Sequence, residues 1–347
     1  MTRFLSRLTG LFLPRRTIAP ANPSRLLNPA HETRQVEHDV EPQLQAMEDH
    51  LFCWLLDTPP STFAQPSSHQ DVVLDELRHR IKFEKLDELP RQPLSLPMLL
   101  QALSDDTMDR NKLAKIILSD ASLVQQLLQV VNSPFFRPGE HTVESLDQAI
   151  FVLGIDGIRS VISATLLRPM LAARNSNEAL FAQRVWRWGL ACARSAELIA
   201  QSQGGDTQAL FMVGLLPALS YITIRREVQR IYRSQLTMHE IEPQVLRAAM
   251  KQFDWQTTQM LANEWNLPPT LHAQLLTAER PAPTSSHTPL NDGFILGTRE
   301  VLLHAHQRNL PEAELRLVLR LSDDQFARIR KGVLNMLGDG MTTSSTS

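Results

Sequence analysis

The sequence predicts an all-α protein, and three observations carry that expectation. Gly is scarce, at 13 of 347 residues. Runs of alternating β-branched residues are rare, while Leu, Ala, Gln, Glu and Arg, which lose little freedom in a helix, are plentiful. Apolar residues recur three and four apart along most of the chain, the spacing that lines one face of a helix.

The elements follow in order. Residues 1–37 read as a basic N-terminal segment and a linker, since no periodicity survives in the Pro-, Asn- and Arg-rich stretch 14–35. Val40, Leu44, Met47, Leu51 and Leu55 predict a helix over about 38–57, closed before Pro59-Pro60. Val72, Leu74, Leu77, Ile81 and Phe83 predict a second, and the pair forms a helical lead-in over 38–87.

A main domain over 88–283 follows, its helices marked by capping residues. Asp109 precedes Leu113, Ile116 and Ile117. Asp120 precedes Leu123, Val124, Leu127, Leu128 and Val131. Ser145 with Gln148 makes a capping box, Gly154 a stop and Asp156 a new start before Ile158–Leu171. Asn177 opens a helix running to Ala200. Gly204-Gly205 breaks the chain, and Asp206 or Thr207 caps the helix after it. Three more helices are expected near 241–252, 255–266 and 268–279, the last with Pro268-Pro269 in its first turn. Beyond a Pro/Ser/Thr-rich loop, Arg280–Asn291, comes a C-terminal helical segment over 289–337, with a capping box at Ser322 and Gln325. Residues 338–347 form a polar tail.

Composition narrows function. A net charge of -2 lacks the basic excess of a dedicated nucleic-acid binder, so no nucleic-acid partner is expected. Two distant cysteines, Cys53 and Cys192, exclude a disulfide framework or a Cys-rich zinc site and fit a reducing cytoplasm. No stretch reads as long and apolar enough to cross a bilayer. At the N-terminus, Phe4, Leu8, Leu11 and Phe12 gather near one helical face with Arg3 and Arg7 off it. Such a helix could lie on an anionic membrane surface, which would place the protein at the inner face of the membrane, or dock on a partner. Arg226, Arg230 and Arg233 share a helical face that could meet an anion or an acidic partner, or be a solvated face balanced by Glu227. His239, His272 and His287 are isolated, and His304 and His306 are two apart, so no histidine set shares a face. Asp105-Asp106 and Asp323-Asp324 read as helix-start residues. There is no Gly-rich phosphate loop, serine nucleophile elbow or Cys/His dyad.

An ordered series of motifs carries a resemblance. It runs Leu89-Pro90-x-x-Pro93-x-x-Leu96-Pro97, then Leu113-Ala114-x-Ile116-Ile117-x-x-Asp120, then Val131-Asn132-Ser133-Pro134-Phe135-Phe136. It continues through Ser145-Leu146-x-Gln148-Ala149-Ile150-x-x-Leu153-Gly154-x-Asp156-x-Ile158-Arg159, Val185-Trp186, Ala209-Leu210-Phe211-x-x-Gly214-Leu215-Leu216 and Trp265-x-Leu267-Pro268. In order and without large gaps, these resemble the HDOD domain, the HD-related output domain of bacterial signalling proteins. Physically, Asn132, Ser133 and Gly154 read as helix punctuation.

The resemblance implies an HD-like helical bundle with N- and C-terminal extensions, similar to HD phosphohydrolases. Those enzymes bind divalent metal through scattered histidines and a His-Asp pair, and the ions activate a water. Here Trp188 stands at the first histidine position, Pro217-Ala218 at the His-Asp pair, Trp255 at a further histidine and Ala278-Glu279 at the late histidine pair. The resemblance therefore implies a non-catalytic regulator with no metal and no cofactor, acting on signalling proteins through protein–protein contacts. Such domains accompany cyclic-di-nucleotide and two-component systems. The competing readings are a metal-dependent phosphohydrolase with relocated ligands and a nucleotide or membrane-surface effector. A packed, dry centre is expected in place of the metal, with a kink at Pro217.

Overall fold

The computed structural model describes residues 29–104, 109–118, 121–136, 141–205, 207, 209–236, 240–276, 278 and 287–338. The basic N-terminal residues Arg3, Phe4, Arg7, Leu8, Leu11 and Phe12 lie outside them, as do Asp105, Asp106, Asp120, Asp206, His239 and Glu279.

Among the described residues the chain forms thirteen α-helices and one short 3-10 helix, with no strand. The lead-in comprises α1 (Pro29–Leu55), the 3-10 turn Pro60–Ala64 and α2 (Gln70–Lys82). Next come α3 (Leu96–Ser104), α4 (Arg110–Leu118), α5 (Ala121–Val131), α6 (Leu146–Leu171), α7 (Ser176–Ser202), α8 (Leu210–Gln235), α9 (Pro243–Glu264) and α10 (Pro269–Leu276). The last three are α11 (Pro289–His304), α12 (Glu312–Leu319) and α13 (Asp323–Gly338).

Several starts form through the predicted chemistry. Asp109 accepts the Lys112 N–H at 2.8 Å. Ser145 Oγ accepts the Gln148 N–H at 3.2 Å, and Gln148 reaches back to the Glu144 N–H at 3.0 Å. Ser322 and Gln325 cap each other reciprocally. Gly154 interrupts α6 with φ +71° and ψ -177°, so the helix is two segments in series. A β-carbon there would touch nothing within 4 Å, so glycine answers to the backbone conformation and not to crowding.

Other expectations are corrected. Helix α1 begins at Pro29, inside the stretch read as linker, and carries Pro42 within it. Helix α7 is capped by Asn175, whose Oδ1 accepts the Glu178 N–H at 3.1 Å, and not by Asn177. Helix α8 has Ala209 at its N-cap with no side-chain cap, and Thr207 offers only its carbonyl to the Leu210 N–H. The two helices expected near 241–252 and 255–266 are one, α9. The chain does not break between 252 and 255 because Ala249, Met250, Phe253, Thr257, Thr258 and Leu261 are buried along one uninterrupted stretch. Helix α6 is long and apolar enough, by composition, to cross a membrane, contrary to the sequence reading. Its apolar residues are engaged within the fold, with Ile158, Val161, Ile162, Leu167 and Leu171 all buried in the core.

Helix α7 is the axis of the core. It presents Ala191, Cys192, Ala193, Ala196 and Ala200, all fully buried. Two helices approach it backbone to backbone. A β-carbon at Gly297 of α11 would lie 2.5 Å from the Cys192 Cα, and one at Gly214 of α8 would lie 2.8 Å from the Ala193 Cα. The C-terminal segment therefore helps build the body that the main domain forms. The lead-in is fastened too. Phe52 is buried with its ring centroid 6.0 Å from that of Tyr221, and His69, Arg80 and Asp49 pair with Glu242, Glu227 and Arg247.

Candidate functional site

Trp188 sits where α1, α7, α8 and α11 converge. Its ring stacks on Tyr221 of α8, with centroids 4.9 Å apart and planes 4° from parallel. Phe294 of α11 lies 6.3 Å away on a similar plane, and Phe52 of α1 extends the cluster from the far side of Tyr221. The indole N–H donates to Thr298 Oγ1 at 2.9 Å, so the one polar atom of Trp188 is satisfied inside the core. Pro217 and Ala218 are buried one turn before Tyr221, and a β-carbon on Gly189 would meet the Ala218 Cβ at 2.7 Å. Trp255 is 8% exposed and Ala278 fully buried.

These residues do not fit a metal ion. The indole nitrogen is a donor, and alanine and proline side chains offer no lone pair. Among the described residues no group of three or more His, Cys, Asp or Glu side chains is placed to hold one. His304 instead accepts a hydrogen bond from Arg187 at 3.0 Å, and His287 lies 3.5 Å from Asp292. Sequence reasoning missed Tyr221, Phe294 and Thr298 as partners of Trp188. The signal available was the placement of Trp188 and Tyr221 on two long apolar helices, which says nothing of stacking.

The basic run on α8 is taken apart by the fold. Arg226 turns inward and is 8% exposed. Its Nε donates to Glu178 Oε1 at 2.7 Å, and its terminal nitrogens donate to the carbonyls of Met170 and Ala172. Arg230 pairs with Asp87 and Glu88, and Arg233 is exposed. Glu227, read as the balance of a solvated face, is fully buried and accepts from Arg80 at 2.9 Å and from the Glu88 N–H at 2.6 Å. Burial pushes its carboxyl above the usual range, although these two donors pull it down. The three arginines thus present no common surface.

The motif residues around α5 and α6 act structurally and frame a cavity. Asn132 Nδ2 donates to the carbonyls of Leu128 and Val143, and its Oδ1 accepts the Val143 N–H, each at 2.8 Å. One side chain thus ties the end of α5 to the run into α6. Next to it lies a cavity of about 630 Å³ lined by Phe136, Gly154, Ser160, Glu197, Phe211 and Met336, among others. Ser160 donates to Glu197 at 2.7 Å, and Arg194 pairs with the same carboxylate. Ser160, Arg194 and Glu197 of its lining are therefore already matched to one another.

Solved structures share this architecture at low identity. A protein provisionally named a metal-dependent phosphohydrolase, from Shewanella amazonensis SB2B, aligns at 15% identity and TM-score 0.56, over 79% of this chain and all of its own. A second Shewanella amazonensis SB2B protein, provisionally named a phosphohydrolase, aligns at 17% and 0.54 over 75% of this chain and 96% of its own. A protein provisionally named for signal transduction, from Marinobacter aquaeolei VT8, aligns at 17% and 0.51 over 79% of this chain and 66% of its own. No curated protein matches the chain. The family model of the HDOD domain matches residues 89–281.

Proposed function

The chain belongs to the HDOD family, and from that premise we propose that it is a non-catalytic regulator in signal transduction, acting through contacts with other proteins. The observation that supports this reading is the stack of Trp188 on Tyr221, closed by the hydrogen bond to Thr298. It fills with apolar groups the place where, by the resemblance, the related hydrolases hold their ions. A phosphohydrolase needs oxygen or nitrogen ligands and an activated water there. An indole satisfied within the core supplies neither.

Regulation by contact also suits the build of the molecule. The lead-in and the C-terminal segment both pack on the family domain, so a partner gripping either would feel the state of the whole. The partners proposed are signalling proteins met in the cytoplasm. In the test, the full chain is purified in the presence of Mn²⁺ or Mg²⁺, bound metal is measured, and hydrolysis of bis(p-nitrophenyl) phosphate is followed. The expected result is no stoichiometric metal and no metal-dependent turnover. Turnover that tracks bound metal would sink the proposal and favour a hydrolase with relocated ligands.

A further inference from the structure

The cavity framed by α5 and α6 is also lined by α7, by the start of α8 and by α13. At about 630 Å³ it falls within the range of small-molecule sites. Much of its wall is aromatic or apolar. Phe211 and Met336 are buried, and the Phe136 ring stands edge-on to Phe211 with centroids 6.0 Å apart. A β-carbon at Gly154 would meet nothing within 4 Å, so the break in α6 leaves its side of the wall open.

The lining also holds a buried carboxylate. Glu197 is 5% exposed, on a stretch of α7 where Ala193, Ala196 and Ala200 are fully buried. A charge taken that far out of water is costly unless hydrogen bonds replace the solvent. Each of its oxygens receives one described donor, the Ser160 hydroxyl at 2.7 Å and Arg194 Nη1. A carboxylate accepts about four hydrogen bonds, so about half the capacity of Glu197 is unused. Arg194 lines the same cavity and spends a single N–H group on Glu197, so most of its donors remain as well. The charges of the lining nevertheless cancel. Arg194 offsets Glu197, and Arg159 offsets Asp156 at 3.3 Å. The cavity therefore offers an acceptor and a donor side by side, an aromatic wall and no net charge.

We propose that this cavity binds a small, uncharged, planar heterocycle carrying an N–H group beside a carbonyl. Glu197 accepts from the N–H, Arg194 donates to the carbonyl, and the ring packs against Phe136, Phe211 and Met336. A purely apolar guest would displace water from Glu197 and return no hydrogen bond. An anion would meet the Glu197 carboxylate, and a cation the Arg194 guanidinium. Because α13 supplies part of the wall, the ligand would touch the family domain and the C-terminal segment at once. The site goes beyond the protein contacts proposed above, and its test does not turn on metal.

In that test the full chain is titrated with guanosine and with pterin, two ring systems that share this edge. Binding is measured by calorimetry and through the NMR signal of the Met336 methyl group, assigned with Met336→Leu. At least one ring is expected to saturate and to move that signal, and the tighter of the two identifies the ring system. The same ring methylated at its N–H is expected to bind about tenfold or more weakly, since a hydrogen bond to a charged group is lost. Glu197→Gln is expected to weaken binding by a similar factor. Asn335→Trp sets an indole at the edge of the cavity and is expected to abolish binding. Asn335 is exposed and makes no described bond, so this variant keeps its fold, which circular dichroism checks. Val72→Trp, on exposed α2 surface outside the lining, leaves binding unchanged. Saturation by neither ring, or an unmoved Met336 signal, would overturn the site. So would undiminished binding in Asn335→Trp, or an equal loss in Val72→Trp. Equal binding of the methylated ring, or unchanged binding in Glu197→Gln, would overturn the assignment of the ligand's polar edge to Glu197.

Discussion

At the scale of single residues, this protein repeatedly settles a charge by burying it against a partner far away in sequence. Asp292 is the exception that can be measured. It lies in the first turn of α11 and is 1% exposed. Burial pushes its carboxyl up to about 7, although nearby Arg320 pulls it down, and His287 faces it from 3.5 Å. The unfolded chain releases that proton near the ordinary value of 3.8. Between those values the folded state holds a proton that the unfolded state has lost, so stability falls as pH rises from about 4 to about 7. Above that window the cost is fully present. Asp292→Asn should therefore raise the melting temperature at pH 8 and change it little at pH 4. Parallel melting curves for the two proteins across that range would show that Asp292 is not held protonated. Arg226 shows why the sequence misleads at this scale. Its helical face could be counted from the spacing, but its partner Glu178 lies 48 positions away, and only the packing of α7 on α8 turns it inward.

At the scale of elements, the legible features were those that a local interaction decides. The boxes at Ser145 and Ser322, the cap at Asp109 and the stop at Gly154 each rest on residues within a turn of one another. The illegible ones were decided by burial. Two helices are expected on either side of 253–254, yet α9 runs through because both flanks share a buried face. Likewise no periodicity signals how closely α11 lies on α7. That crossing depends on Gly293 and Gly297, whose missing side chains let the backbones meet. Gly297→Ala would place a β-carbon 2.5 Å from the Cys192 Cα, and backbone cannot move as a flexible side chain can. The expected loss is about 1–3 kcal/mol in urea unfolding. The control is Gly205→Ala, where a β-carbon meets only ordinary contacts beginning at 3.6 Å and which should be nearly neutral. Equal effects at the two positions would show that α11 can shift to accept the methyl group.

At the scale of the whole molecule, the lead-in is joined to the family domain by charge as well as by apolar packing. Glu227 is fully buried on α8, and Arg80 of α2 is its cationic partner. Removing Arg80 strands a desolvated carboxylate, which in buried pairs costs about 3–5 kcal/mol. Arg80→Ala should therefore destabilise the protein strongly, and hydrogen exchange should rise first in α2 and around Glu88. The double variant Arg80→Ala, Glu227→Leu should recover much of the loss, because no stranded charge remains. If it recovers none, the pair does not hold the lead-in. The α7–α11 seam has a consequence of a different kind, in the order of synthesis. Cys192 and Gly297, which meet in the finished protein, are 105 positions apart. At about 5–20 residues per second, a ribosome needs roughly 5–20 s to make the second after the first. For that interval α7, with Ala191, Cys192 and Ala193 fully buried in the finished protein, has been made without the helix that covers it. A nascent chain of this protein is thus exposed to premature aggregation along α7, and a chaperone that shields apolar helices during elongation would act on it in that window.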